Sequence, residues 1–278
     1  MAGIAVLENP RKASTQVIVF DMVVYVGGAL QQLIGSVRYF APPVAEGEEP
    51  VEYPDIGLYN ITATVSQMDP EFQVYDADPS KYSFVGDVKN LHLLESLAES
   101  VDGGPREWTI NPAQRMTVHV CCVVSSDDQT HATFTGEPEQ WTLAYADVKK
   151  KAESTGAKVP SPAPFPFLAV IPNSPRYTKT GKKPTPFTNK YTGFMGFLAG
   201  MDSKLEGEKL VDRFKIEVDT VSFLGTYFKP AKQTKDLAEV SDPSTPSPAP
   251  RASTSSWGYN SNAASNKKRK VSAFSSSQ

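Results

Sequence analysis

Along the 278 residues, apolar positions recur mostly with a period of two, the spacing of a β-strand with one buried face. Residues 58–68 (LYNITATVSQM) show it well. Ile61, Ala63 and Val65 share one face, and Thr62, Thr64 and Ser66 share the other. Residues 213–224 (RFKIEVDTVSFL) repeat the pattern, with Phe214, Ile216 and Val218 set against Lys215, Glu217 and Asp219. Residues 116–124 (MTVHVCCVV) form the strongest strand signal, and Ser125–Asp128 reads as its turn, with His131–Thr135 returning as a partner. Val/Ile-rich runs at 16–26 and 30–40 flank Gly27-Gly28 and predict a hairpin. Residues 82–94 predict a strand pair or a kinked strand, with Gly86 as a bulge. Residues 191–199 (YTGFMGFLA) predict a strand that pairs with 213–224 across a loop at 200–209.

One segment departs from this period. In residues 140–154 (QWTLAYADVKKKAES), Trp141, Ala144, Tyr145 and Val148 fall at helical spacing, and Lys149–Lys151 suit the negative end of a helix. Residues 158–186 hold eight prolines, which predicts neither regular helix nor central strand there. From Lys229 onward large apolar residues almost vanish. Such a segment cannot bury enough surface to offset its ordering entropy, so disorder is expected. The organisation expected is therefore a flexible arm at 1–14, a β region at 15–115 and a second β region with one helix at 116–228. A disordered Ser/Pro-rich tail follows at 229–278. The first β region could be its own barrel or complete the second. No repeat of fixed period is present.

Composition narrows the function classes. No apolar run reaches the roughly 18 residues of a membrane-spanning helix, and the first residues lack the pattern of a secretory signal, so no membrane partner is expected. The net charge of −3 is unevenly spread. Residues 229–278 carry eight Lys/Arg against three Asp/Glu, a net of +5, which leaves a net of −8 on residues 1–228. Any polyanion binding must then rest on a local patch or on the tail. The only cysteines, Cys121 and Cys122, are adjacent and point to opposite faces of a strand; two reduced thiols are expected. No metal-ligand spacing is present. The three histidines, His92, His119 and His131, lack the neighbours of a nucleophile or metal motif, so a non-catalytic protein without cofactors is expected. The acidic run at 69–78 does not match a calcium loop and reads as a solvated loop.

Two segments carry binding chemistry. Residues 176–191 (RYTKTGKKPTPFTNKY) reverse the sign of the acidic body. They hold Arg176, Lys179, Lys182, Lys183 and Lys190, no acids, and the rings of Tyr177, Phe187 and Tyr191. Cations interleaved with aromatics suit single-stranded nucleic acid, because ammonium and guanidinium groups meet phosphates while rings stack on bases. The alternative is an exposed loop solvated by its lysines, with the rings sealing a barrel end. In the tail, Lys267, Lys268, Arg269 and Lys270 are consecutive cations followed by Val271, which resembles a nuclear-import signal. A nuclear import receptor is the partner expected there, and the nucleus the compartment; the alternative is a solubilising charge run or a weak phosphate-contacting arm.

Taken together these elements predict a mainly β protein with antiparallel short-strand barrels and one helix. MTVHVCCVV, the helical segment from Gln140, YTGFMGFLA and RFKIEVDTVSFLG together resemble, at the level of architecture, the OB-fold superfamily of single-stranded nucleic-acid-binding proteins. That resemblance implies non-catalytic binding of single-stranded DNA or RNA. Tyr177, Phe187 and Tyr191 would stack, and Arg176, Lys179, Lys182, Lys183 and Lys190 would contact phosphates. The competing expectation is a nuclear protein–protein interaction scaffold with an acidic β-barrel body.

Overall fold

The computed structural model describes residues 1–227 except 27–30, 69–80, 98–106, 146–153, 157–162, 179–181, 207–208 and single positions at 46, 50, 144 and 155. Five strands open the chain: β1 (Ala2–Lys12), β2 (Val17–Tyr25), β3 (Gln32–Phe40), β4 (Ile56–Gln67) and β5 (Phe84–Ser96). β1, β2 and β3 pair antiparallel in sequence order, β3 lies parallel to β5, and β5 pairs antiparallel with β4. β4 then returns to β1, so the strands close into a barrel in the order β1-β2-β3-β5-β4-β1. Phe20, Met22, Val37, Ile61, Val65 and Phe84 fill its interior. Gly35 sits opposite Phe84 in the parallel pair, and a Cβ there would lie 2.1 Å from the Phe84 ring. Only glycine lets that ring lie flat against β3.

The second half repeats the order. Its strands are β6 (Thr117–Val123), β7 (Ser126–Asp128), β8 (Thr133–Gly136), β11 (Phe167–Val170), β12 (Lys190–Glu206) and β13 (Lys209–Thr226). A short ribbon, β9 (Glu139–Gln140) with β10 (Ala163–Pro164), lies between β8 and β11. β6 and β7 form one bent strand. Val124 donates to Lys190 O on the β12 side, and Ser125 donates to Thr135 O on the β8 side. The pairings therefore run from this strand through β8, β11, β13 and β12 back to β6, with β11–β13 as the parallel pair. Phe134, Phe167 and Phe194 meet in its interior, with ring centroids 5.0–6.0 Å apart.

Several expectations need correction. Residues 1–14 are no flexible arm: residues 2–12 form β1, paired on both sides, with Ala5, Val6 and Leu7 buried. A strand buried on both faces shows no alternation to read. The turn after β6 lies at Gln129–Ala132 rather than 125–128. Asp128 Oδ1 shapes it by accepting from the Thr130 and His131 amides. The Pro-rich segment contains a central strand after all, because β11 fits between Pro166 and Pro172. It also contains the one-turn helix α1 (Pro175–Thr178), whose leading proline needs no amide partner. No loop opens at Gly200; β12 and β13 continue as one long hairpin to Glu206 and Lys209. β5 is a single strand whose register shifts fall near Lys89 and Leu94, not at Gly86. In the segment expected as a helix, Gln140 is extended, Trp141 is exposed, and Leu143 and Tyr145 take helical backbone. Most of the rest of 140–154, like the 229–278 tail, lies outside the described residues.

Candidate nucleic-acid interface

The basic–aromatic segment connects β11 to β12 and divides into three parts. On α1, Arg176 Nη1 and the Tyr177 hydroxyl both donate to Asp219 O of β13, at 3.1 and 2.8 Å. The guanidinium stays exposed, 5.8 Å from the Tyr177 ring centroid. The Tyr177 ring packs against the core, so it braces the barrel rather than standing free. Lys183 is also turned to structural use: its Nζ donates to Ile171 O at 2.7 Å. Lys182 is exposed, and Lys179 lies outside the described residues.

The third part is a tight turn leading into β12. The Asp127 Oδ1 atom accepts from the Thr188 amide and hydroxyl, at 2.7 and 2.6 Å. Hydrogen bonds from Gln129 and Thr188 hold this carboxyl below its ordinary range. Asn189 takes a positive φ of 62°, a conformation Asn tolerates, and its amide donates to Val124 O. Lys190 N closes the turn on Phe187 O. Phe187 is thereby left at the tip, 60% exposed, and Tyr191 follows at 41%. Between them Lys190 Nζ reaches Thr226 Oγ1 at 2.8 Å. Two of the three predicted rings and Lys190 therefore come together at one end of the second barrel.

Sequence reasoning missed the surface that continues from this end. On β12 the outward row is Tyr191, Gly193, Met195 and Phe197, paired with Val123, Cys121, His119 and Thr117 of β6. Phe197 is 37% exposed and Leu224 of β13 is 53% exposed. A shallow groove of about 340 Å³ runs over this face, lined by residues of β6, β12 and β13 that include His119, Cys121, Met195, Thr220 and Ser222. The Arg115 guanidinium lies 5.1 Å from the Phe197 ring centroid and pairs with Glu217. The sequence signal was the odd-numbered row of β12. Because Phe194 and Leu198 make the other row apolar too, the strand reads as wholly buried. Of the adjacent cysteines, Cys121 is exposed and Cys122 is buried, as alternation requires. Burial, aided by the neighbouring Cys121 thiol, pushes the Cys122 thiol up to about 12.

The first barrel carries a larger hollow, about 650 Å³, beside Pro10, Ile18, Val51 and Tyr53, but its described lining sets Glu49 and Glu52 against the single cation Lys12. The outer face formed by Val6, Val23 and Leu58 is covered by Trp108 and Ile110. This strap is clamped by Glu95, whose carboxylate accepts from the Thr109 amide and hydroxyl and from the Ile110 amide, at 2.8–3.2 Å. Those bonds, chiefly from the Thr109 amide, lower the Glu95 pKa. On the β3–β5 side, Arg38 and Asp87 form a buried ion pair at 3.4 Å. Asp87 Oδ2 also accepts from the Leu143 amide at 2.7 Å, and Tyr145 donates to Gln67 O. The second half thus closes that face of the first.

Among the described residues no group of three or more His, Cys, Asp or Glu side chains is placed to hold a metal ion. His131 pairs with Asp128 at 2.6 Å on the surface, and His92 and His119 are exposed. The Lys267–Lys270 motif lies outside the described residues. No protein-family model matches the chain, and no curated protein matches it.

Proposed function

We propose that this is a nuclear, non-catalytic protein that binds single-stranded DNA or RNA through its second, OB-like barrel and the basic–aromatic segment that enters β12. One observation carries the reading: Phe187 and Tyr191 stand exposed on either side of Lys190 in a body that is otherwise acidic. Exposed rings next to a cation offer stacking and phosphate neutralisation together. The five-stranded rings support the resemblance to OB-fold proteins, and the four tail cations support import into the nucleus. Arg176, Lys182 and Lys190 are the phosphate contacts in this reading. Tyr177 and Lys183 are braces.

The test is fluorescence anisotropy of labelled oligo(dT) and oligo(U) with the full chain, its Lys267–Lys270 cations changed to alanine. Binding at low salt should weaken steeply with added salt, by a log–log slope of about −0.7 per phosphate contacted. Lys182→Glu with Lys190→Glu should abolish binding at moderate salt. Unchanged binding by that double variant overturns the site assignment. A second reading, a protein-interaction scaffold, draws on the net charge of −8 over residues 1–228. Binding to such a partner through an apolar surface would be nearly salt-independent.

A further inference from the structure

The outward face of β6, β12 and β13 shares an edge with the segment just described. Tyr191 stands at one end of the outward row of β12 and Phe197 at the other. They lie six positions apart along the strand, about 20 Å at roughly 3.3 Å per residue. Between them the described lining residues of the groove are apolar groups with Thr220, Ser222, Cys121 and His119, and no carboxylate is among them. Gly193 keeps the groove floor low: an added Cβ would press on Cys121 Sγ at 3.3 Å and touch Leu224 Cδ1 at 3.5 Å. Cations mark the rim. Arg115 stacks on Phe197, Lys190 precedes Tyr191, and Arg176 Nη1 comes within 3.5 Å of Thr220 Oγ1, a lining residue. The two nearby acids are engaged: Glu217 pairs with Arg115, and Asp219 Oδ2 accepts from the Thr220 hydroxyl.

We propose that this sheet face is the track for a single-stranded polynucleotide, with Tyr191 and Phe197 as the stacking platforms at its two ends. The proposal rests on the nucleic-acid reading above and deepens it by assigning the path. A strip of about 20 Å suits the short end of the ~4–16 nucleotides that one OB-type site tracks. Neutral walls with a cationic rim accept a chain whose charge lies along its edge and whose bases turn inward. The outer residues of β8 and β11 offer no such platform. Those strands have four residues each, and Thr133, Thr135, Leu168 and Val170 are half-buried.

Cys121 on the groove floor permits a direct test in the full-length protein. Maleimide labelling is followed by mass spectrometry with and without saturating oligo(dT) or oligo(U), and buried Cys122 stays silent. Bound oligonucleotide should slow Cys121 labelling by about tenfold or more through loss of access. Phe197→Ala should weaken binding about 5- to 100-fold, the loss of one stacked base. Gly193→Glu, which sets a carboxylate in the groove, should weaken it at least as much. Thr133→Glu on the β8 side should bind like the parent. Unprotected Cys121 at saturation overturns the track and leaves the nucleic-acid reading standing, as does parental binding by both Phe197→Ala and Gly193→Glu. A parent protein that binds neither oligonucleotide at low salt overturns that reading and the track with it. The protection measurement needs no substitution, so it decides the matter even where a variant fails to fold.

Discussion

The two barrels share a strand order and differ in what lies on their outer faces. In the first, Trp108 and Ile110 cover one face, and Leu143 and Tyr145 bind over another. In the second, the β6–β12–β13 face leaves Tyr191, Phe197 and Leu224 exposed. Two outer faces of the first ring are thus covered, while the β6–β12–β13 face of the second is left open. Most of the polar groups that seal the first barrel are spent internally, as the Arg38–Asp87–Leu143 arrangement shows. The cations around the second sit at its rim.

The largest effect should come from breaking the seal at Asp87. Asp87→Ala leaves the Arg38 guanidinium buried without its carboxylate and removes the acceptor for Leu143. Losses of about 3–5 kcal/mol are typical for such a change. Urea unfolding should show a lower midpoint, and Arg38→Met combined with Asp87→Leu should recover most of the loss.

Trp108→Ala should cost less, about 1–3 kcal/mol, because the indole is only partly buried. Its signature is dye binding by the uncovered Val6–Val23–Leu58 face in the native state. If dye binding stays at the parental level, the strap is not what covers that face.

A pH titration sharpens the contrast further. The Glu95 pKa is lowered in the folded protein, so its hold on the strap is complete above the ordinary value of 4.5 and fades as pH falls through the lowered value. Amide exchange at Thr109 and Ile110 should therefore quicken, relative to its intrinsic rate, below pH 4.5. Glu95→Gln should flatten that response, while the amides of β12 serve as the unaffected reference.

The smallest effect on stability is expected from Phe197→Ala on the open face. It should stay within about 1 kcal/mol, since the ring is partly solvated already. Phe194→Ala, three residues earlier on the same strand, removes a ring packed between Phe134 and Phe167 and should cost about 3–5 kcal/mol. Comparable losses for the two would mean that Phe197 belongs to the core.

Legibility in the sequence followed the number of buried faces. β4 and β13 alternate because one face of each is polar along much of its length, and both were readable by period. β1 escaped because neighbours pair on both sides and a strap covers its outer residues. β11 escaped because prolines bracket it within four residues. The sign reversal at 176–191 was visible as composition, yet composition could not tell that Lys183 and Tyr177 turn inward to backbone carbonyls while Lys190 stays at the rim. Nor could it show Phe197 as a surface ring, since its row on β12 is nearly as apolar as the buried one. The repeated ring order left no periodic trace, because it resides in pairings between distant strands, such as Gly35 with Phe84 and Phe167 with Phe214.

The late position of Leu143 has a consequence for how the chain is made. All strands of the first barrel have been synthesised by residue 96, yet the amide that binds Asp87 belongs to residue 143. At about 5–20 residues per second, the ribosome takes roughly 2–10 seconds to cover that interval. Counted from the emergence of β5, a first barrel that closes in this interval holds the Arg38–Asp87 pair without the Leu143 amide over it.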